Sequence, residues 1–406
     1  MTLTAKHGRA PRVCVAFGTR PEATKMAPVV AALARRPDLS PVTLVTGQHR
    51  EQLDDALRTF GIVPDADLDV MTQRQALPEL FARITREAAR LLPDLDVDYV
   101  LVHGDTTSTF AIALAAFLQD VPVAHVEAGL RSFDLRQPFP EEANRKLTDV
   151  LTDLDLPPTP LARQHLLAEG KPAERMVVTG NTAVDAVRMA RARAHLPAAI
   201  PKGPLVAVTM HRRENLPLMA DLARALARVA ARFEHLTFVY PVHLNPSVRE
   251  AVMPVLTDVP NVVLDDPWDY LSMIALLDHA ELVVTDSGGI QEEGAALGVP
   301  VAVLRNVTER PEGADAGSLR LLGNDPAVVE ASLSALLADA DALAAMRSAP
   351  NPYGDGHAGE RVAQAVAWRF GLADRPSDWQ PQARLDAPSA PDAPPAPDAG
   401  PRPPDT

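Results

Sequence analysis

Thr285-Asp286-Ser287-Gly288-Gly289-Ile290-Gln291-Glu292-Glu293-Gly294 follows the apolar run 282–284 and precedes a helical pattern. A strand that ends in Ser-Gly-Gly and turns directly into a helix builds an anion pocket. The glycines let the backbone approach a ligand, and the unpaired N–H groups of the first helical turn point at it. A carboxylate further along such a helix can hold ribose hydroxyls. The segment therefore reads as a cradle for a nucleoside diphosphate. The plainer reading, a glycine-capped turn between strand and helix, stays open for Ser-Gly-Gly taken alone.

Outward from this segment, apolar strand-like runs alternate with amphipathic helical patterns. Runs at 13–17, 42–45, 99–102 and 121–126 are separated by helical stretches such as 23–35 and 107–119. The pattern restarts after Pro201, with runs at 205–209, 236–240, 262–264, 282–285 and 299–304. Alternation of this kind predicts parallel sheets covered on both faces. The fold class expected is α/β, with two doubly wound, Rossmann-like domains at 12–174 and 175–358. A boundary near residue 200 fits the periodicity almost as well. The helical pattern within 359–372 is expected to pack back on the first domain. Residues 1–11 read as a flexible tail. Residues 373–406, rich in Pro, Ala and Asp, read as disordered, since they offer too little apolar area to offset ordering. Docking of Trp379 is the lesser alternative.

The 406 residues carry a formal net charge of −14, which argues against nucleic acid or an anionic membrane as a partner. An anionic small ligand then requires a local cluster of Arg and Lys. Cys14, the sole cysteine, lies in an apolar run, so no disulfide framework is expected. No run approaches the length of a membrane span, and residues 1–12 lack the apolar stretch of a signal peptide, so a cytoplasmic location is expected.

Polar clusters recur where predicted strands end, the place where open α/β sheets bind ligands. They are Gly18-Thr19-Arg20-Pro21-Glu22 with Lys25, His103-Gly104-Asp105-Thr106, Glu127 to Ser132 and Met210 to Asn215. Glu141 and Glu142 follow Pro140 at an expected helix start. Each cluster has an ordinary structural explanation. Asp105 or Thr106 can cap a helix, Glu141 and Glu142 can sit favourably in a first turn, and Arg212 and Arg213 can form a solvated face. Together they describe a cleft with carboxylates on one wall and basic residues with a glycine cradle on the other. None of the 11 histidines shows metal-ligand spacing supported by a third ligand, and no metal is expected.

In this arrangement the chain resembles the non-hydrolysing UDP-N-acetylglucosamine 2-epimerases. The resemblance rests on residues 18–28, Thr46-Gly47-Gln48-His49, Gly104 to Ser108, His125 to Ser132, Pro138 to Arg145, Gly180-Asn181-Thr182, His211 to Asn215, His243 to Pro246, Asp286 to Gly294, Arg310 to Gly313 and Asn351 to Gly356. It spans roughly residues 13–370. It implies a GT-B-type pair of Rossmann-like domains with the active site between them, a homodimer, and neither metal nor nicotinamide. The implied reaction interconverts UDP-N-acetylglucosamine and UDP-N-acetylmannosamine through a 2-acetamidoglucal, for surface-polysaccharide precursors. A hydrolysing epimerase or a GT-B glycosyltransferase is the alternative.

The resemblance also assigns residues. Asp105, Glu127 and Glu141 would do the acid–base work, with the individual roles left open, and His211 would act at the diphosphate end. Arg20, Lys25, Arg131, Arg136 and Arg310 would bind substrate, Ser287, Gly288 and Gly289 the phosphates, and Glu293 the ribose. Gln48, His49 and His243 match positions of a second, activating UDP-N-acetylglucosamine. Two departures stand out: Asn306 replaces the usual Asp, and Met273 replaces an aromatic that would pack on uracil.

Overall fold

The computed structural model describes residues 2–47, 50–70 and 76–381. The first half runs β1 (Arg12–Phe17), α1 (Arg20–Ala34), β2 (Ser40–Val45), α2 (Arg50–Phe60), β3 (Ala66–Asp67) and α3 (Leu77–Asp94). It continues with β4 (Tyr99–His103), α4 (Thr107–Phe117), β5 (Val123–Val126), α5 (Glu141–Leu151), β6 (Leu154–Leu156) and α6 (Pro160–Ala168). The second half comprises α7 (Thr182–Arg191), β7 (Leu205–Thr209), α8 (Met219–Arg232), β8 (Thr237–Pro241), α9 (Pro246–Leu256), β9 (Val262–Asp265) and α10 (Tyr270–His279). After it come β10 (Ala280–Thr285), α11 (Gly288–Leu297), β11 (Val301–Val303), α12 (Pro311–Ala316) and β12 (Leu319–Leu321). Helices α13 (Pro326–Ala338), α14 (Ala340–Arg347) and α15 (Ala358–Arg369) close the chain.

Two six-stranded parallel sheets result, ordered β3-β2-β1-β4-β5-β6 and β12-β11-β10-β7-β8-β9. Renumbered within its own half, each has the doubly wound Rossmann order 3-2-1-4-5-6. The strands read as continuous apolar runs because both faces are buried. Along β1, Val13, Val15 and Phe17 pack under α1 and α15, whereas Cys14 and Ala16 face α3 and α4. The second sheet divides in the same way, with Val206 and Val208 on one face and Leu205 and Ala207 on the other. Among the described residues, no helix is long and apolar enough to cross a membrane.

The halves are joined twice. Residues 176–179 lie beside β6, with the Val177 and Thr179 N–H groups donating to Asp155 O and Pro157 O at 3.1 and 3.0 Å. The chain returns through α15, which packs on α1. A Cβ on Gly359 would lie 2.7 Å from Pro28 O, so only glycine admits this approach. Asp185 caps α15, accepting from Ala358 N at 3.2 Å and Gly359 N at 2.9 Å.

Both expected tails are attached further than their composition implied. Arg9 pairs with Asp98 at 2.6 Å, Lys6 Nζ donates to Val97 O at 2.8 Å, and Leu3 N donates to Arg369 O at 2.8 Å. Residues 2–11 are therefore not a free tail. Disorder likewise does not begin at 373. Arg375 donates to Met176 O at 2.7 Å, Asp378 accepts from Val178 N at 2.8 Å, and Trp379 is buried, its backbone N–H donating to Val178 O at 2.8 Å. The remainder of the expected disordered segment lies outside the described residues. Trp379→Ala removes a buried indole beside the interdomain link. It is expected to cost about 3 kcal/mol in urea unfolding while turnover per folded molecule stays near wild type.

Candidate active site

The two sheets place their topological switch points, between β1 and β4 and between β7 and β10, at one cavity of about 470 Å³. Its first wall is built from the loops after β1, β4 and β5. Thr19 and Glu22 form a capping box at the start of α1. The buried Glu22 carboxylate accepts from Gly18 N at 2.9 Å, Thr19 N at 2.7 Å and the hydroxyls of Thr106 at 2.7 Å and Thr109 at 2.9 Å. It thereby locks the β1 and β4 loops together. Gly18 has no room for a side chain, since a Cβ there would lie 2.2 Å from Thr46 Oγ1.

Asp105, Glu127 and Glu141 line the cavity from this wall, besides the saturated Glu22. Asp105 Oδ2 lies 2.5 Å from Arg145 Nη2, and Asp105 O accepts from Asn144 Nδ2 at 2.9 Å, so α5 fixes its position. Beneath it, His125 spans Gly104 O at 2.6 Å and Asp149 Oδ1 at 2.5 Å. Burial works against charge on His125, but Asp149 outweighs it and raises the pKa. Glu127 has φ 68°, a left-handed backbone that non-glycine residues rarely adopt. Its Oε2 accepts from Lys25 Nζ at 2.5 Å and Asn181 Nδ2 at 3.1 Å. Such a residue persists only where its surroundings over-determine it, and this occurs most often at functional sites. Glu141 opens α5; burial, with Asp105 adding to it, raises its carboxyl above the ordinary range.

The second wall is basic. Ser287 precedes α11, whose first-turn N–H groups, those of Gly288 and Gly289 among them, border the cavity. A Cβ on Gly288 would lie 2.7 Å from Arg310 Nη1 and 3.3 Å from Arg212 Nη2, so two guanidinium groups crowd this helix start. Among the described residues neither Arg20 nor Arg212 forms an ion pair, although both line the cavity. Burial and the neighbouring Arg305 press against the charge of Arg212 and lower its pKa. An anion between Arg20, Arg212 and the α11 N-terminus relieves that pressure. Asp286 accepts from His211 N and Arg212 N at 3.0 and 2.9 Å and so holds the β7 loop in place. The His211 ring stacks on His243 at 5.3 Å, and burial lowers the pKa of both imidazoles.

A chain of charges joins the walls. Lys25 Nζ contacts Glu127 of the first domain and, at 2.8 Å, Glu292 Oε2 of the second, and Arg310 Nε donates to Glu292 Oε1 at 2.5 Å. Burial disfavours the Lys25 charge, but the two carboxylates outweigh it. Lys25 is thus committed between the domains. Glu293 also lines the cavity. Burial, then Glu292, pushes its carboxyl up to about 7, against Arg20 and Lys25. An acid whose folded pKa exceeds its ordinary 4.5 contributes stability below that value and loses it as pH rises through about 7. Glu293→Gln is therefore expected to raise the Tm of the ligand-free protein at pH 8 and leave it unchanged below pH 4.5, while weakening UDP binding.

The structure departs from the sequence expectations at two arginines. Arg131 is buried away from the cavity, its guanidinium held by Asp149 at 2.6 Å and by Glu169 at 2.9 and 2.6 Å. This network reaches Asp105 only indirectly, through Asp149 and His125. Arg136 sits on an exposed loop over the Phe139 ring at 5.9 Å, not in the cavity lining. Gln48 and His49 lie outside the described residues, whereas His243 lines the cavity. Glu292, Arg212, Asn181 and His125 escaped assignment, although each falls within or beside a quoted motif. Glu292 and Glu293 are adjacent in sequence, and helical geometry turns them toward different neighbours.

Two Rossmann-like domains with a basic helix start facing a carboxylate wall define a GT-B-type cleft protein. The chain belongs to the UDP-N-acetylglucosamine 2-epimerase family, whose model matches residues 31–367. It is 46% identical over 368 residues to the UDP-N-acetylglucosamine 2-epimerase of Escherichia coli K12, covering 87% of this chain and 98% of that one. The Neisseria meningitidis UDP-GlcNAc 2-epimerase, solved bound to UDP-GlcNAc, superposes with a TM-score of 0.84 at 39% identity, over 88% of this chain and all of that one. The Staphylococcus aureus MnaA structure with UDP gives a TM-score of 0.84 at 41% identity, over 91% of this chain and 100% of that one.

Proposed function

We propose that this protein reversibly epimerises C2 of UDP-N-acetylglucosamine to UDP-N-acetylmannosamine, without hydrolysis, by eliminating and re-adding UDP. The single observation that carries the reading is one cavity holding Asp105, Glu127 and Glu141 opposite the α11 N-terminus with Arg20, Arg212 and Arg310.

The C2 proton of a pyranose has no adjacent carbonyl and is not acidic. As the C1–O bond to the β-phosphate breaks, positive charge grows at C1 and the C2 proton becomes removable. One carboxylate takes that proton while the C1–O electron pair leaves with UDP, giving 2-acetamidoglucal. A proton is then returned to the opposite face of C2, and the β-phosphate oxygen adds back to C1. Carboxylates near both faces of the sugar perform the two transfers and stabilise the charge at C1. Burial shifts the Glu141 pKa upward, the direction that favours proton donation. The cationic cradle keeps UDP in place between the steps, as re-addition requires. Glu293 binds the ribose, and Arg20 and His211 the diphosphate.

Chromatography of UDP-N-acetylglucosamine incubated with the purified protein tests the reading. A stable mixture containing UDP-N-acetylmannosamine supports it. Free N-acetylmannosamine accumulating with UDP assigns the hydrolysing reaction instead, and no product at all sinks both.

The reading includes a homodimer in the cytoplasm and a second UDP-N-acetylglucosamine bound at Gln48, His49 and His243 as an activator. Sedimentation measures the first assembly. Strictly hyperbolic kinetics, with no activation of the reverse reaction by added UDP-N-acetylglucosamine, would count against the activator.

A further inference from the structure

His103, the last residue of β4, lines the cavity beside the Glu127–Lys25 pair. Its side chain is 4% exposed, and neither ring nitrogen has a hydrogen-bond partner among the described residues. The nearest carboxylate oxygen, Glu127 Oε2, lies 3.8 Å from Nε2, beyond hydrogen-bond reach and already taken by Lys25 and Asn181. Buried polar groups are almost always satisfied, so a fully buried imidazole with two idle nitrogens at a ligand cavity implies a partner in the ligand. Arg145 Nε and Nη1 also lack hydrogen-bond partners among the described residues, but its guanidinium is anchored through Nη2 on Asp105 at 2.5 Å, whereas the His103 ring is anchored at neither nitrogen. Glu22 is saturated by four donors, and His125 uses both ring nitrogens. Within the cavity His103 stands on the carboxylate side, across from the α11 cradle.

We infer that His103 contacts the hexosamine itself, hydrogen-bonding a hydroxyl or the acetamido group of the sugar beside Glu127. This rests on the reading of the cavity as a nucleotide-sugar site. Burial, then Lys25 and His125, hold the imidazole well below its ordinary pKa, so it meets the sugar neutral, with one N–H to donate and one lone pair to accept. It therefore orients the sugar against Glu127 without adding a charge, and a neutral polar substrate group is the partner it fits.

The test uses the full chain with His103→Leu, His103→Asn and His103→Gln, where the amide NH₂ approximates Nδ1 or Nε2 respectively. UDP and UDP-N-acetylglucosamine affinities, kcat, KM and Tm are measured for each. In His103→Leu, UDP affinity is expected to stay within about twofold of wild type, while sugar-nucleotide affinity and turnover each fall about tenfold or more. Either amide variant is expected to recover part of the loss, and the one that does identifies the nitrogen used. A purely structural histidine would instead lower Tm and UDP affinity together. A folded His103→Leu protein with wild-type turnover and sugar-nucleotide affinity overturns the inference. If His103→Leu fails to fold, folded amide variants in which UDP and the sugar nucleotide weaken equally overturn it as well. Wild-type protein that binds UDP-N-acetylglucosamine without epimerising it would defeat the functional reading alone, leaving the binding comparison to judge His103.

Discussion

Glu127→Gln is expected to lower turnover by about 10²- to 10⁴-fold while UDP binding and the fold persist. The carboxylate is held by Lys25 at 2.5 Å and Asn181 at 3.1 Å, on a backbone of φ 68°. The amide keeps the size and an acceptor oxygen, so Asn181 and the local backbone are retained. Lys25 keeps its second partner, Glu292, at 2.8 Å. What is lost is the negative charge beside the sugar and the capacity to take or stabilise a proton there. The diphosphate cradle lies on the opposite wall and is untouched, so UDP titrations should match wild type. Asp105→Asn and Glu141→Gln are expected to behave alike, since each removes a titratable group from the same cavity. Near-wild-type kcat in all three would remove the chemical basis of the account.

Arg310→Met is expected to weaken UDP binding by about 10- to 100-fold, the range for a lost charge-assisted hydrogen bond. It is also expected to destabilise the ligand-free protein by about 3 kcal/mol, because it strips one partner from a buried carboxylate. Glu292 is 1% exposed and is shared by Arg310 at 2.5 Å and Lys25 at 2.8 Å. With Arg310 gone, Glu292 keeps only Lys25, which Glu127 also claims. The double variant Glu292→Gln/Arg310→Met separates the two effects. Neutralising Glu292 should restore most of the stability, read by denaturant unfolding, and none of the UDP affinity. If the double variant regains UDP affinity, Arg310 acts by balancing Glu292 and not by binding the diphosphate.

How much of this was legible in the sequence follows from where the physics is local. The central strands announce themselves because both faces are buried. The edge strands β3, β6 and β12 are two or three residues long and carry Asp67, Asp155 and Arg320, so no apolar run marks them. The strand-to-helix turn at Ser287-Gly288-Gly289 was readable because it is a backbone feature, fixed by adjacent residues. Side-chain partners are not local. Arg131 sits in a polar cluster after a strand, yet its donors are taken by Asp149 and Glu169, 18 and 38 positions away. Trp379 lies in a Pro- and Asp-rich stretch and still docks, because β6 and the interdomain link leave backbone groups at Met176 and Val178 for residues 375–379 to bind. Glu292 and Glu293 look equivalent as letters. Helical geometry turns Glu292 toward Arg310 and Lys25 and Glu293 toward the cavity, and the partners that tell them apart lie far away in sequence.

Proton NMR of UDP-N-acetylglucosamine with the purified protein in D₂O, with no metal or nicotinamide added, tests the central claim most directly. The account predicts UDP-N-acetylmannosamine carrying deuterium at C2, with deuterium also entering the recovered UDP-N-acetylglucosamine, because the proton returned to C2 comes from a group that exchanges with solvent. Epimer formed with its C2 proton fully retained would contradict elimination through 2-acetamidoglucal. An unchanged spectrum, with UDP shown to bind, would contradict the function itself.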